Sequence, residues 1–283
     1  MSDPILAFIG GSGLYSVDGL LNREEVKIDT PFGSPSDLIT IGDLANQRVA
    51  FLPRHGRNHH LSPTSIPVRA NIYALKMIGI KRIVSISAVG SLKEDIPPLD
   101  LVIPDQIIDR TKKREQTFFE DGIVAHVSIA DPFCPELRHL LTTSSKRQKA
   151  RVHSSGTYLV IEGPQFSTKA ESLLYRSWDS SVIGMTAMPE AKLAREAEIC
   201  YATLALVTDY DTWHESTAPV TVEIVIENMR KNTEVSQAIV ALVAKNIEAN
   251  PDCACQHALR NAIITQPEMI SEEVKKRLSP ILG

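Results

Sequence analysis

The 283-residue sequence contains no apolar run near membrane-spanning length and no long block of like charges. A membrane helix needs about 18 apolar residues, and the apolar stretch 4–9 is only long enough for a strand. The formal net charge is −4, with 30 basic and 34 acidic residues. This balance argues against a polybasic membrane patch and against a tail that binds nucleic acid. We therefore expect a cytoplasmic protein with neither membrane nor nucleic acid among its partners.

Cysteine is scarce, with four residues in the chain. In a reducing compartment these are expected to be free thiols. Cys200 lies in an apolar stretch and is predicted to be a core residue. Cys253 and Cys255 lie in a polar segment with only His257 nearby as a further ligand, so we interpret them as two partly exposed thiols. A metal site and a strained local disulfide are the alternatives.

Hydrophobic residues make up 43% of the chain and charged residues 23%, which suits a globular protein with a sizeable core. Segments typical of strands and of helices alternate through most of the sequence. This alternation predicts an α/β fold with a mixed, mainly parallel sheet and helices on both faces. The length allows one large domain or two. A long amphipathic helix is expected at 220–248, followed by helices at about 254–265 and 271–278.

The stretch 202–213 combines a buried strand with two acids. Ala202 to Val207 form an apolar run typical of a buried parallel strand, and Asp209 and Asp211 follow it. If the backbone stays extended, both carboxylates point to the same side. In open α/β sheets, ligands bind at this end of the strands. The alternative is a helix cap followed by a solvated acid.

The first predicted strand runs into a glycine-rich turn at 10–14 that contains Ser12. Backbone N–H groups and a hydroxyl in such a turn can contact an anion. A plain tight turn is the main alternative. A dinucleotide site is a weaker one, because Ser16 occupies the position of the third glycine in that motif.

A cluster of cationic and imidazole side chains follows another strand. Arg54 can grip phosphate with two parallel N–H donors, and His55 beside it can orient or donate to the same anion. A solvated basic loop is one alternative. A metal site is another, since His55, His59 and His60 lie close in sequence, but the glycine and proline around them argue against the helix that such a motif needs.

Hydroxyl side chains also follow two further predicted strands, at Ser87 and Thr186. Hydroxyls beside one fixed cation form a site for a phosphate dianion. Asp209 and Asp211 suit a polar, planar group better than they suit phosphate. Together these strand ends predict a site where phosphate attacks one end of a bond while an acid protonates the other.

Motifs spread over nearly the whole chain up to about residue 245 resemble those of the S-methyl-5'-thioadenosine phosphorylase family, within the trimeric purine nucleoside phosphorylase group. They are GGSGL (10–14), DTPFG (29–33), PRHGR (53–57), SAVGSL (87–92), DQIIDRT (105–111), DPFCP (131–135), IEGPQFST (161–168), GMTAMPE (184–190) and TDYDTW (208–213). The resemblance implies a single nucleoside phosphorylase domain over 1–283. Its sheet would be twisted, mixed and partly barrel-like, flanked by helices, with a helical carboxyl-terminal extension at about 250–283.

The implied activity is phosphorolysis of S-methyl-5'-thioadenosine to adenine and 5-methylthio-α-D-ribose 1-phosphate, in purine and methionine salvage. A broader adenosine or inosine phosphorylase is the alternative. The resemblance implies no metal and no organic cofactor, with inorganic phosphate as co-substrate. It also implies a homotrimer or a dimer of trimers, with the active site at a subunit boundary.

The motifs assign roles residue by residue. The positions that resemble phosphate ligands are Ser12, Arg54, His55, Ser87, Ala88 and Thr186. Those that resemble substrate-binding residues are Phe166 and Ser167 at the base, Met185 at the ribose, Val222 and Val225 at the methylthio group, and His126, offered by a neighbouring subunit to the ribose 5' end. Asp209 and Asp211 resemble the carboxylates at the purine edge and are the expected catalytic residues. The Cys253 and Cys255 pair resembles one in heat-stable members, where it can form a disulfide.

Asp209 is expected to protonate the purine N7 while bound phosphate attacks C1'. Adenine presents an acceptor at N7 and a donor at N6, which a protonated carboxyl matches, whereas a 6-oxopurine presents two acceptors. Asp209 therefore favours a 6-aminopurine. Two rival hypotheses are a nucleotide-sensing module without catalysis, based on the glycine turn, and a metallohydrolase based on the histidine cluster.

Overall fold

The computed structural model describes residues 4–11, 18–215, 222–248 and 253–283. The strands are β1 (Leu6–Gly10), β2 (Leu21–Val26), β3 (Ile39–Leu44), β4 (Gln47–Pro53), β5 (Arg82–Ser91), β6 (Leu101–Val102), β7 (Gln106–Asp109), β8 (Val152–His153), β9 (Thr157–Val160), β10 (Val182–Gly184) and β11 (Cys200–Asp209). The helices are α1 (Val68–Met77), α2 (Pro135–Ser145), α3 (Lys169–Ser177), α4 (Ala187–Glu196), α5 (Val222–Asn246) and α6 (Glu272–Leu282).

All the strands belong to one mixed sheet that branches at its centre. Its main path runs β2-β3-β4-β1-β5-β10-β9-β7, and β11 pairs with β5 along most of its length. Strand β5 pairs in parallel with β1 through its first half and antiparallel with β10 at its end. Because β4, β1, β5 and β11 are mutually parallel, their carboxyl ends lie at one edge of the sheet. The predicted α/β class, with a mixed sheet flanked by helices, is confirmed.

The central strands are apolar on both faces because each face is covered. In β1, Leu6 and Phe8 belong to one hydrophobic cluster, whereas Ala7 and Ile9 belong to the cluster on the opposite face. The side chains of β11 also alternate between the two clusters, and nine of its ten residues are buried. Successive strand side chains point to opposite faces, so a continuous apolar run is what a sheet with two cores requires.

Local signals explain where several helices begin. Helix α3 starts at a capping box, in which Thr168 accepts from the Glu171 backbone N–H and Glu171 accepts from that of Thr168. Ser271 caps α6 by accepting from the Val274 N–H. Within the described residues, no helix combines the length and the apolarity that crossing a membrane requires.

The structure corrects the sequence-based expectations in three places. The segment predicted as a helix at 254–265 contains only a 3₁₀ turn at Ala254–His257, and Cys253 and Cys255 are buried rather than partly exposed. Strand β7 was missed because two of its four residues are polar and none is fully buried, yet it pairs in parallel with β9. The predicted domain bounds of 1–283 stay a prediction.

Candidate active site

A cavity of about 500 Å³ opens at the carboxyl ends of β1, β4, β5 and β11. The short strand β10 and the start of α5 complete its walls. The sequence-predicted residues that line it are Arg54, His55, Ser87, Ala88, Phe166, Met185, Thr186, Asp209, Asp211, Val222 and Val225. The fold therefore brings together side chains that lie up to 171 positions apart in the chain.

Two described site residues, Ser167 and His126, do not line this cavity, and a third predicted residue is not described. Ser12 lies outside the described residues, although its neighbour Gly11 lines the cavity. Ser167 is buried beside the cavity, and its hydroxyl has no hydrogen-bond partner in the described part of the chain. His126 is exposed elsewhere, where its backbone N–H donates to the Ala262 carbonyl at 2.8 Å.

Hydroxyl and imidazole groups form one end of the cavity. The Ser87 and Thr186 hydroxyl oxygens are 3.0 Å apart. Burial, together with the charge of Arg54, lowers the pKa of His55 to about 4, so its ring is neutral near pH 7. Its Nδ1 lies 2.9 Å from the Leu61 carbonyl oxygen, which can only accept a hydrogen bond. Nδ1 therefore carries the proton, and Nε2 is left as an acceptor for a group such as P–OH.

The Arg54 guanidinium lies at this same end but is already held by the protein. Its Nε donates to Glu190 Oε1 at 2.5 Å, Nη2 donates to Ser85 Oγ at 2.7 Å, and Nη1 donates to the Ile86 carbonyl at 3.0 Å. The sequence suggested a free fork for phosphate. The structure instead shows a buried ion pair that fixes the guanidinium in the cavity wall and offsets much of its charge.

Glu190 is a site residue that sequence reasoning missed. It is buried on α4, where it also accepts from the Tyr201 hydroxyl at 2.8 Å. From the sequence, an acid after a proline at the start of a helix is typical of a first-turn acid, and that ordinary interpretation hid its second role. The only signal was the presence of an arginine at a distant strand end.

Arg114 is a second missed residue, and it joins two walls of the cavity. Its almost wholly buried guanidinium donates to the backbone carbonyls of Met185, Met188 and Glu162, each at 2.6 Å. These bonds tie the segment after β9, which leads to Phe166, to the segment after β10. No local pattern reveals such a role, because the acceptors are backbone groups far away in the chain.

Two acids form the opposite end. Asp209 ends β11, and its carboxylate accepts from the Thr208 hydroxyl at 2.7 Å and from the Asp211 backbone N–H at 2.8 Å. Asp211 has a φ of 53°, so the chain turns here and is not extended as the sequence suggested. The two carboxylates still face the same cavity, because the turn folds Asp211 back toward Asp209. Ser172 donates a hydrogen bond to Asp211.

The acid pair retains protons more strongly than ordinary carboxylates do. Burial raises the pKa of Asp209, although its hydrogen bonds from Thr208 and Asp211 lower it. Burial raises the pKa of Asp211 to about 6, and the charge of Asp209 adds to the effect while the Ser172 hydrogen bond opposes it. A carboxyl group that keeps its proton near neutral pH can serve as a general acid.

Exposed apolar side chains lie at the mouth. Phe166 is 47% exposed, and Val222 and Ile226, one turn apart on α5, are 59% and 61% exposed. Such a patch suits the flat or apolar part of a small ligand. The cavity thus combines an end lined by hydroxyl, guanidinium and imidazole groups, an apolar wall and an end with two acids.

The histidine cluster has no metal-ligand geometry. The rings of His55 and His59 stack with centroids 4.1 Å apart, and His60 Nδ1 lies 3.1 Å from the Arg57 carbonyl. Among the described residues, three or more metal-ligand atoms converge only in a group of cysteines, which contains no histidine. The cluster therefore gives no support to a metallohydrolase.

Comparisons with known proteins agree with this geometry. The model of the family described as the phosphorylase superfamily matches residues 5–245. S-methyl-5'-thioadenosine phosphorylase of Chloroflexus aurantiacus is 55% identical, and the match covers 100% of this chain and 99% of the relative. The enzyme of the same name from Gloeobacter violaceus is 53% identical, and the match covers 98% of this chain and 95% of the relative. A crystal structure of methylthioadenosine phosphorylase from an antarctic soil metagenomic library is 50% identical, with a TM-score of 0.95 and full coverage of both chains. A variant of adenosine/methylthioadenosine phosphorylase from Schistosoma mansoni, in complex with adenine, is 31% identical over 93% of this chain and 100% of its own, with a TM-score of 0.88.

Because the pKa of Asp211 is raised in the folded chain, the free energy of unfolding is expected to depend on pH. Between its ordinary value of 3.8 and about 6, the folded chain holds a proton that the unfolded chain has lost, so stability falls as pH rises through this window. Asp211→Asn removes this penalty. We expect the variant to gain up to about 3 kcal/mol in free energy of unfolding at pH 8, and less as pH falls through 6 toward 4.

Urea unfolding of the wild type and Asp211→Asn across this pH range measures the effect. Asp95→Asn, at an exposed aspartate, is the matched control and is expected to change little at any pH. A gain for Asp211→Asn that is the same at pH 5 and pH 8 would contradict the assignment.

Proposed function

The chain belongs to the phosphorylase superfamily, and we propose that it cleaves S-methyl-5'-thioadenosine with inorganic phosphate. The products are adenine and 5-methylthio-α-D-ribose 1-phosphate. The observation that carries the proposal is the arrangement of one cavity, with an anion-binding end at Arg54, Ser87 and Thr186 and a proton-retaining end at Asp209 and Asp211. The names of relatives at 50–55% identity support this substrate over a broader adenosine or inosine phosphorylase.

Phosphate is the nucleophile. As the bond between C1' and the purine N9 breaks, positive charge develops on the sugar, as it does in glycoside hydrolysis. Phosphate held by the hydroxyls of Ser87 and Thr186 and by the Arg54 end of the cavity stabilises this charge and then bonds to C1' through one oxygen. Because Glu190 offsets the charge of Arg54, the bound phosphate keeps the negative charge that this stabilisation needs. Ser12, His55 and Ala88 complete the proposed phosphate ligands.

The leaving purine takes the electron pair of the broken bond, and Asp209 supplies a proton to N7. Asp211 holds Asp209 in place through its backbone N–H, and its raised pKa of about 6 makes it slower than an ordinary aspartate to add a second negative charge beside Asp209. A protonated Asp209 also accepts from the adenine N6–H, which a 6-oxopurine lacks. No metal or organic cofactor takes part in these steps.

The apolar wall receives the methylthio group, with Val222 and Val225 on the first turn of α5 and Phe166 against the base. Ser167 contributes to the base site beside Phe166, and Met185 contacts the ribose. Replacing the thioether by a hydroxyl puts a polar group against apolar side chains. Adenosine is therefore expected to react about 10–200-fold less efficiently than the methylthio substrate.

The proposed assembly is a homotrimer, or a dimer of trimers, acting in the cytoplasm in purine and methionine salvage. His126 lies away from the cavity of its own chain, and it is exposed. It is therefore available to reach the ribose 5' end in a neighbouring subunit. This assignment explains why a motif-matched residue is not on the wall of its own cavity.

Product analysis tests the proposed function. The full chain is incubated with S-methyl-5'-thioadenosine, with and without inorganic phosphate, and the products are separated by liquid chromatography and mass spectrometry. We expect adenine and a pentose 1-phosphate in equal amounts with phosphate, and neither without it. Phosphate-independent release of adenine would indicate a hydrolase, and saturable binding without any turnover would indicate a nucleotide-sensing module.

Asp209→Asn tests the acid. The variant loses the transferable proton, so kcat/KM for S-methyl-5'-thioadenosine is expected to fall about 10²–10⁴-fold. Because an amide can donate to a 6-oxo group, the ratio of kcat/KM between the inosine and adenosine series is expected to rise. Asp95→Asn is the matched control. An unchanged ratio of kcat/KM between the two series would contradict the assignment of Asp209 as the residue that recognises the purine base.

His126→Ala tests the shared site. Loss of one hydrogen bond from a neighbouring subunit is expected to raise KM for the nucleoside about fivefold, with little change in kcat. His139→Ala, at an exposed histidine on α2, is the control. Light scattering is expected to give about three or six times the chain mass of 31.2 kDa. A monomer in light scattering would contradict the proposed assembly. An unaltered KM for His126→Ala would contradict the role of His126.

A further inference from the structure

The four cysteines of the chain meet at one point in the core. The Sγ atoms of Cys134, Cys200, Cys253 and Cys255 all lie within 4.8 Å of one another, and all four residues are buried. The Sγ atoms of Cys134 and Cys253 are 3.5 Å apart. They come from three separate segments: the start of α2, the start of β11 and the 3₁₀ turn after α5.

We propose that this cluster is a structural zinc site with four thiolate ligands. Zinc binds thiolates at about 2.3 Å in a tetrahedron, which places neighbouring sulfur atoms roughly 3.8 Å apart. The sulfur separations here fit a single ion of that size. An iron–sulfur cluster, whose ligand sulfurs surround several iron and sulfide atoms, requires a wider arrangement. Sequence reasoning missed this site because it considered only His257, a neighbour in the chain, as an additional ligand for Cys253 and Cys255.

Backbone hydrogen bonds connect the segments that carry the four ligands. The Cys134 N–H donates to the Tyr201 carbonyl at 2.8 Å, which joins the start of α2 to the start of β11. The Gln256 N–H donates to the Cys253 carbonyl at 2.9 Å, which shapes the turn that presents Cys253 and Cys255. Cys134 is also the residue that immediately precedes α2, so the helix fixes its position.

The surrounding charges suit a tetrathiolate centre. Four thiolates and Zn²⁺ carry a net charge of about −2, which is costly in a core without compensation. The buried Arg82, paired with Cys200 in the sheet register, lies within electrostatic range of Cys134, Cys200 and Cys253. Arg195 lies within the same range of Cys255. Two guanidinium groups therefore lie near the cluster and would offset part of its negative charge.

The site lies at the end of β11 opposite to the active site. Cys200 is the first residue of that strand and Asp209 the last, so they are about 30 Å apart along an extended chain. The ion would fasten the segment that begins at Cys253 to α2 and β11. From there the chain continues to α6, whose Arg277 carbonyl accepts from the Tyr73 hydroxyl of α1 at 2.6 Å. The expected role is stability of this carboxyl-terminal region, with no part in the reaction.

Metal analysis of the full chain tests the site. The protein is produced without a chelating tag, purified under reducing conditions, and measured by inductively coupled plasma mass spectrometry. We expect about one zinc per chain in the wild type and near zero in Cys253→Ser and Cys255→Ser. Ala254→Ser, at the exposed position between the two ligands, is the matched control and is expected to retain the zinc.

Two readouts do not depend on the folding of the cysteine variants. Growth in cobalt and purification of the wild type are expected to give the intense visible absorption of tetrahedral Co²⁺ with thiolate charge-transfer bands. Removal of the ion with a mercurial and a chelator is expected to lower Tm, and added Zn²⁺ to restore it. Activity at low temperature is expected to stay unchanged.

Three outcomes would overturn the proposal. The first is a metal-free wild type with four titratable thiols, which would mean that the cysteines act only as small packed side chains. The second is a metal-free chain whose mass, as isolated, is lower by the two or four hydrogen atoms that are lost when one or two disulfides form. The third is iron in place of zinc.

Discussion

A buried ion pair between Arg54 and Glu190 lies where the strands that form the cavity come together. Arg54 follows β4, and its guanidinium donates to Ile9 of β1 and to Ser85 and Ile86 of β5. Glu190 accepts in turn from Tyr201 of β11. Charges this deeply buried are tolerated only when nearly every donor and acceptor has a partner, and removing one partner typically costs about 3–5 kcal/mol. The pair therefore ties together β1, β4, β5 and β11.

This constraint explains the electrical asymmetry of the cavity. Near the pair, a partly balanced guanidinium, two hydroxyls and a neutral His55 can receive an anion without neutralising it completely. At the far end, burial keeps Asp209 and Asp211 inclined to hold protons. Negative charge and a transferable proton thus lie at opposite ends of one enclosure, which is the separation that phosphorolysis of an N-glycosidic bond requires.

Sequence reasoning found the residues whose signal is local. Arg54, Ser87, Thr186 and Asp209 each follow a buried apolar run, and that pattern is visible without a structure. Contacts between residues that lie far apart in the sequence have no local pattern of this kind. Glu190 is 136 positions from Arg54, and the Met185 carbonyl is 71 positions from Arg114. The backbone turn at Asp211 was also invisible, because alternation along a strand predicts direction only while the chain stays extended. The cysteine cluster was missed for the same reason of distance, with 119 positions between Cys134 and Cys253.

Tracing oxygen atoms through the reaction tests most directly whether phosphate is the nucleophile at C1'. The chain is incubated with S-methyl-5'-thioadenosine and phosphate labelled with oxygen-18 at every position, in unlabelled water, and the sugar product is analysed by mass spectrometry. Attack by bound phosphate predicts a pentose 1-phosphate whose phosphate oxygens, including the one bonded to C1', are all labelled. A free pentose, or a sugar phosphate whose C1' oxygen comes from water, would contradict the account.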